Sequence, residues 1–382
     1  MLDCWNRKLG EITFENKPSE FSKLTRKVSR FVTEGKEPVY GLENAYGYGR
    51  ALAVWLIEKG FAVKDVNTAL SYAQRKSVPM YQKSDSYDAE AVALVLINML
   101  DKLPDAIPDD KYWTLSQLVN RRDNICTHLH RLKNQLHEQL CMAYPSYKLF
   151  FSDISRATAL YFFMEYPSPA HLLGKTAEEL AEELRPVSHN NCSVKRAEKI
   201  LSLVRADGDT KRDHQESRDT ITRSLVSDLE HYRVQLEEVN QAIKMLMPEF
   251  DCTLMTMPGI DLITAANMLS EIGNISRFSS AAKLAKFAGI APVNFSSAGK
   301  GKDMCPKQGN RRLQAIFYFL AIQIIQISIN GTPRNPVFRE YYLRKVEEGK
   351  NKQQALICIA RRLINIVYGM LKNHTEYREP EQ

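Results

Sequence analysis

Seven apolar residues, Leu225, Leu229, Tyr232, Leu236, Val239, Ile243 and Leu246, follow one another at spacings of 4, 3, 4, 3, 4 and 3. With 3.6 residues per helical turn, that alternation lays all seven along one narrow stripe, the seam of a coiled coil of about three heptads. Pro248 ends it. Such a seam needs a second helix, from the same chain or from another protomer. The candidate within the chain is residues 113–140, where Leu115, Leu118, Ile125, Leu129, Leu132, Leu136 and Leu140 form one apolar face. Arg121, Arg122, Arg131 and Lys133 occupy the polar side of that helix.

A chain of 382 residues is too long for one core, so two or three domains are expected, and 44% hydrophobic residues can fill them. The net charge of +7 favours a polyanionic partner, with a merely basic protein as the alternative. Seven scattered cysteines without a Cys-x-x-Cys pair argue against a disulfide framework or a zinc knuckle and fit a reducing compartment. An apolar run of about 18 residues is not found, and the N-terminus lacks an apolar signal core, so neither a membrane span nor secretion is expected. His128 and His130 do not share a helix face, so with His137 they read as solvated or RNA-facing groups rather than metal ligands.

Residues 1–100 alternate strand and helix signals: strands at 11–14, 38–42 and 61–66, helices at 19–31, 48–59 and 86–100. Gly60 caps the second helix. This alternation predicts an α/β domain with a partly parallel sheet. Active sites in such sheets gather at the carboxyl ends of strands. Glu43 follows the strand at 38–42, and Asp85 and Asp88 share one face at the start of a helix. Three such carboxylates can hold Mg²⁺. Asp85 and Asp88 also suit a helix N-terminus for purely electrostatic reasons.

Further along, Thr176 with Glu179 forms a capping box, and Ser193 begins another helix. Pro258-Gly-Ile260 between two apolar helices resembles a helix-hairpin-helix turn, in which Gly259 frees backbone N–H groups for a phosphate. Phe295 to Lys302 carries no helix or strand pattern and reads as a flexible basic loop. Its serines, Ser296 and Ser297, either attack a phosphodiester once activated or only hydrogen-bond to phosphates. Lys300, Lys302, Lys307, Arg311 and Arg312 supply the charge to grip a nucleic-acid backbone.

Five motifs then fall in order: Met257-Pro-Gly-Ile-Asp-Leu-Ile-Thr-Ala-Ala266, Glu271-Ile-Gly-Asn-Ile-Ser-Arg-Phe278, Leu284-Ala-Lys-Phe-Ala-Gly-Ile-Ala-Pro292, Ser296-Ser-Ala-Gly-Lys300 and Lys307-Gln-Gly-Asn-Arg-Arg-Leu313. With Gly41-Leu-Glu43 and Lys83-Ser-Asp-Ser-Tyr-Asp-Ala89, the chain resembles the DEDD-type insertion-sequence transposases, relatives of pilin-gene invertases that include bridge-RNA recombinases. The resemblance covers nearly the whole chain. It implies an α/β plus all-α architecture: a RuvC-like (RNase H-like) domain at 1–104, a helical coiled-coil region at 105–249, a serine-bearing domain at 250–340 and a helical extension at 341–382.

It further implies Glu43, Asp85 and Asp88 as Mg²⁺ ligands and a serine nucleophile that joins DNA covalently. Ser297 is favoured because it precedes Ala298 where the family pattern has serine then glycine; Ser296 is the alternate. The implied partners are DNA at the element ends and target, a structured guide RNA, and further copies of the chain as a homodimer or tetramer. The implied location is the bacterial cytoplasm at the nucleoid. The basic, aromatic region 113–172 and residues 300–312 are the expected nucleic-acid surfaces. The family's first acid stands on a strand that precedes the segment matched by Met1-Leu2-Asp3, which reads as a misassigned start or a truncated copy. A truncated copy is expected to fold weakly over 1–100 and to bind nucleic acid without recombining. A RuvC-like nuclease using water is the remaining alternative.

Overall fold

The parallel strand pair near the N-terminus exists because both of its faces can be covered. The computed structural model describes residues 1–382 except 44, 46, 78–83, 109, 298–299, 305–307 and 380–382, and gives the backbone alone for 110, 293–297 and 300–304. Helix α1 (Pro18–Ser29) precedes β1 (Val39–Glu43), α2 (Arg50–Glu58) and β2 (Ala62–Val66). The strands pair in parallel, Val39 opposite Ala62 and Glu43 opposite Val66. One side is closed by Phe21, Leu52, Ala53, Leu56 and Val63, all buried. The other side is closed by Val66, Val95 and Leu103, with Val95 on α4 (Asp85–Met99), which follows α3 (Thr68–Lys76).

The strand expected at 11–14 is absent. Its alternation is real, but no strand edge flanks it among the described residues. Phe14 instead packs edge-on against Phe21, 6.3 Å between ring centres. The α/β reading therefore stands for a two-stranded parallel sheet in a mostly helical chain, smaller than the sequence pattern suggests.

The chain forms two units, residues 1–116 with 247–382, and residues 117–246. The second unit lies between two long helices, α5 (Asp110–Ala143) and α9 (Gln215–Leu246). Arg121 donates to Gln235 (2.7 Å), Arg122 to Asn240 (2.9 Å), and His128 stacks on Tyr232 with ring centres 5.5 Å apart. From Arg122 opposite Asn240 to His128 opposite Tyr232, numbers rise on one helix as they fall on the other, so the helices run antiparallel and the heptad seam finds a partner in its own chain. Leu229 and Ile243 of the seam are fully buried, and Val226 joins them where α6 (Ala157–Glu165) packs on α9.

Helices α7 (Ala177–Leu184) and α8 (Val194–Asp207) complete this unit. The capping box of Thr176 and Glu179 forms in both directions. Tyr144, Phe150, Phe162 and Phe163 are fully buried in one ring-packed cluster. The aromatic half of the region read as a nucleic-acid surface is thus core, because these rings have helices on every side to pack against.

The C-terminal part adds α10 (Leu262–Ile272), α11 (Ala281–Phe287), an antiparallel hairpin of β3 (Val293–Ser297) and β4 (Lys300–Met304), then α12 (Arg311–Ile324), α13 (Pro336–Glu347) and α14 (Lys352–Asn373). Helix α14 buries Ala355, Ile359, Leu363 and Val367 along one face and packs on α11 and α12. It is long and apolar enough to cross a membrane by composition, and half of that stretch is buried in this packing.

Truncating Leu229 to alanine is expected to cost about 3 kcal/mol in chemical denaturation, as for other buried leucines. Because the seam closes within one chain, the solution mass should stay that of the unaltered protein; a halved mass would move the seam to a contact between chains.

Candidate active site

Two carboxylates converge on one guanidinium. Strand β1 ends on Glu43. A side chain at Gly41 would sit 3.2 Å from Leu96 and 3.3 Å from Val66, so the bare glycine lets α4 lie close on the strand. Ser84 caps α4 by accepting the Tyr87 N–H, and Asp88 falls one turn in. Near the end of α3, Arg75 places Nη1 3.5 Å from Glu43 Oε1 and 3.5 Å from Asp88 Oδ1. The fully buried Ser71 donates a short hydrogen bond to Glu43. Two like charges this close repel, and the cation between them makes the arrangement tolerable.

Asp85 is exposed in the first turn of α4 and stands outside this pair. Among the described residues no group of three or more His, Cys, Asp or Glu side chains is placed to hold a metal ion. Asp88 Oδ1 is nonetheless buried without a hydrogen-bond partner. A carboxylate oxygen that meets Arg75 by charge at 3.5 Å but accepts no hydrogen bond among the described residues, beside a second carboxylate, fits a divalent cation, since Mg²⁺ accepts one or two protein carboxylates when phosphate oxygens complete its shell. Asp3 is committed to its own turn, accepting from the Trp5 and Arg7 N–H groups and pairing with the Arg7 side chain at 2.7 Å.

Sequence reasoning passed over Asp65, whose one signal is an acid inside an apolar strand. It pairs in register with Leu42, hence on the face opposite Glu43. Burial pushes its carboxyl above the usual range, against the opposing pull of the Arg277 charge and the Ala45 N–H. Arg277 belongs to the C-terminal part of the same unit.

The stretch read as a flexible loop is a hairpin, with Ser296 opposite Gly301 and Ser297 opposite Lys300. Glycines and lysines leave no alternating pattern from which a strand could be read. The side chains of Ser296, Ser297, Lys300 and Lys302, and Lys307 altogether, lie outside the described residues.

The base of the hairpin is tightly held. Gly289 has φ +66° and Gly309 φ +130°, and a Cβ on Gly309 would lie 2.5 Å from the Gly289 Cα. The Asn310 N–H donates to Phe287 O (2.7 Å), and its side chain caps α12 by accepting the Leu313 N–H (2.9 Å). Glu271 receives both the Asn310 amide and Arg312 Nη1, the latter at 2.8 Å. Arg312, read as a phosphate contact, is therefore engaged by an internal carboxylate, while Arg311 donates to Gln314 at 2.8 Å.

Gly259 does sit in a tight turn, with φ +94° and room for no more than a hydrogen against Gln323 and Leu320. At the next helix start, Asp261 accepts the Thr264 N–H at 2.7 Å, taking a donor that a phosphate would use.

With this geometry in place, the comparisons with known proteins are informative. The profile described as Transposase IS116/IS110/IS902 family matches residues 252–343. A second transposase profile, of the DEDD IS110 type, matches residues 1–145. An uncharacterized 43.6 kDa protein of insertion element IS110 from Streptomyces coelicolor is 27% identical over 80% of this chain and 75% of its own. An uncharacterized 44.8 kDa protein of insertion element IS116 from Streptomyces clavuligerus is 28% identical over 76% of this chain and 71% of its own. The pilin gene-inverting protein of Moraxella bovis is 27% identical over 44% of this chain and 53% of its own.

Two outcomes test the site's construction. Gly309→Ala should cost about 2 kcal/mol or more in denaturant unfolding, since it adds both positive-φ strain and a backbone clash. Asp65→Asn should raise Tm at pH 7. A folded-state pKa above the unfolded value means that the contribution of Asp65 to stability is present at acid pH and lost as it ionises, so the advantage of the variant should vanish below about pH 4. An unchanged gap across that range would remove Asp65 as its source.

Proposed function

We infer that this chain, which belongs to the IS116/IS110/IS902 family of transposases, cuts and rejoins insertion-sequence DNA with a serine hydroxyl and a carboxylate pair. Transposase and recombinase activity follow from the family. The observation that carries the finer reading is the convergence of Glu43 and Asp88 on Arg75, in the same unit as the Ser296–Ser297 hairpin. Paired acids whose charge needs a cation suit phosphodiester chemistry, where negative charge builds on phosphoryl oxygens.

In this reading Ser297, or Ser296 as the alternate, attacks a phosphodiester. An Oγ–P bond forms, the bond from phosphorus to a deoxyribose oxygen breaks, and that oxygen takes a proton as it leaves. Attack by another deoxyribose hydroxyl on the phosphoserine reverses the step and completes the new strand without outside energy. Transposases of the DEDD type are generally metal-dependent, and Mg²⁺ held by Glu43 and Asp88, with Asp85 nearby on α4, would neutralise charge on the phosphoryl oxygens. Arg75 keeps the two acids together and contributes its own positive charge. The Gly289–Gly309 contact and the Glu271 ties hold the serine ribbon at its base. Lys300, Lys302, Lys307, Arg311 and the Gly259 turn grip the DNA backbone. The reading extends to a structured guide RNA that pairs with donor and target DNA, to an assembly of two or four chains, and to action in the cytoplasm.

Purified chain, Mg²⁺ and DNA carrying the element ends provide the test. Glu43→Gln and Asp88→Asn should each lower strand joining by about 10³-fold or more, and one of Ser296→Ala and Ser297→Ala should abolish the covalent protein–DNA adduct on a denaturing gel. Joining that survives both serine changes, or hydrolysed ends without any adduct, would replace the serine by water as the nucleophile.

A further inference from the structure

A cleft of about 430 Å³ opens in the helical unit of residues 117–246, apart from every residue assigned above to strand joining. Its floor is apolar, with Phe151, Val187 and Cys192 among its lining. The thiol of Cys192 is 4% exposed and has no hydrogen-bond partner among the described residues.

Helix α6 begins at this cleft. Its N-cap, Arg156, makes no side-chain cap, and the first-turn residues Ala157, Thr158 and Ala159 line the cleft. Three guanidiniums, of Arg156, Arg196 and Arg233, line it as well. Arg196 is fixed by a hydrogen bond to Phe150 O (3.0 Å) and lies 6.0 Å from the Phe151 ring. The guanidiniums of Arg156 and Arg233 have no ion-pair or hydrogen-bond partner among the described residues.

The carboxylate in the lining, Asp153, is neutralised by Lys133 at 2.7 Å, which holds its carboxyl well below the usual range together with the Ser155 N–H. Three positive charges and a helix N-terminus thus converge on one concave surface without a compensating anion. Phosphate groups are what such a convergence binds, by charge-assisted hydrogen bonds from guanidinium and backbone. A bare phosphate fills little of 430 Å³ and has no use for an apolar floor. A flat apolar body carrying a phosphate uses both.

We propose that this cleft captures a phosphate-bearing nucleotide of a nucleic-acid strand, displaced from its stack. The phosphate sits between the first turn of α6 and the side chains of Arg156 and Arg233. The base lies on the apolar floor beside the Arg196 guanidinium, whose planar face suits stacking. The inference rests on the reading that this chain handles nucleic acid, and it adds a second, non-catalytic contact that holds a single-stranded nucleotide.

The probe is a fluorescent trinucleotide bearing a 5′-phosphate, titrated into the full chain and followed by anisotropy. Binding should weaken at least tenfold in the Arg156→Gln/Arg233→Gln double variant, and the slope of log affinity against log salt should fall by about 0.7, the release expected from one single-strand phosphate contact. Arg205→Gln, on α8 outside the cleft, should bind as the unaltered chain does. Ala157→Asp gives a further check, because an acid in a first turn favours the helix yet repels a phosphate there; it should abolish binding in a protein at least as stable. Unchanged affinity in both cleft variants would overturn the proposal. So would equal competition by the dephosphorylated trinucleotide, or competition by inorganic phosphate as strong as by the phosphorylated one, which would leave an ion site without a strand. Glu43→Gln and the serine variants should bind the probe normally, so loss of this site and loss of the joining mechanism give separate results.

Discussion

At Gly309 the backbone passes so close to Gly289 that a methyl group there would lie 2.5 Å from the facing Cα. Between these two positions lie β3 and β4, so the contact closes the serine-bearing hairpin at its base. The same crossing sets where α12 can begin. Asn310, next in the chain, reaches back to Phe287 with its N–H, caps α12 with its side-chain oxygen and meets Glu271 with its amide. A packed helix, a capped terminus and a hairpin thus depend on two residues that carry no side chain.

The acid-bearing segment uses the same device in a different way. Gly41 brings α4 down onto β1, and only then does Asp88 come within reach of the guanidinium that also meets Glu43. Bringing carboxylates together is electrostatically costly, and the cost is offset locally by Arg75 rather than by solvent. The buried Oδ1 of Asp88, paired with Arg75 by charge but accepting no hydrogen bond among the described residues, leaves an acceptor for another cation. On the opposite face of the strands, burial raises the Asp65 carboxyl and the Arg277 charge opposes that rise.

The helical unit divides its residues by a simpler rule. Tyr144, Phe150, Phe162 and Phe163 fill its interior, while Arg156, Arg196 and Arg233 remain outside around a concave surface. Aromatic and basic residues are interleaved in the sequence, which makes the whole region look like one nucleic-acid surface. Packing sorts them, because rings gain from burial and guanidiniums lose by it.

Much of the local structure is legible in the chain itself. The heptad spacing requires a long helix ending near Pro248, Ser193 and the Thr176–Glu179 pair mark helix starts, and Gly60 marks an end. These are signals within one or two turns, where periodicity and capping chemistry decide the outcome. The ordered motifs from Met257 to Leu313, with Glu43, Asp85 and Asp88, also identify the family. Other features belong to the tertiary structure. The partner of the seam, the hairpin at Ser296–Ser297, the absence of a strand at 11–14 and the engagement of Arg312 by Glu271 all depend on which surfaces lie adjacent. Arg75 between the acids, and the guanidiniums of Arg156 and Arg233 that find no partner among the described residues, are of the same kind. The sequence determined where the long helices run and how they are capped, because those energetics are local; which strands form, which charges meet and which remain unmet was decided by contacts between segments brought together in the fold.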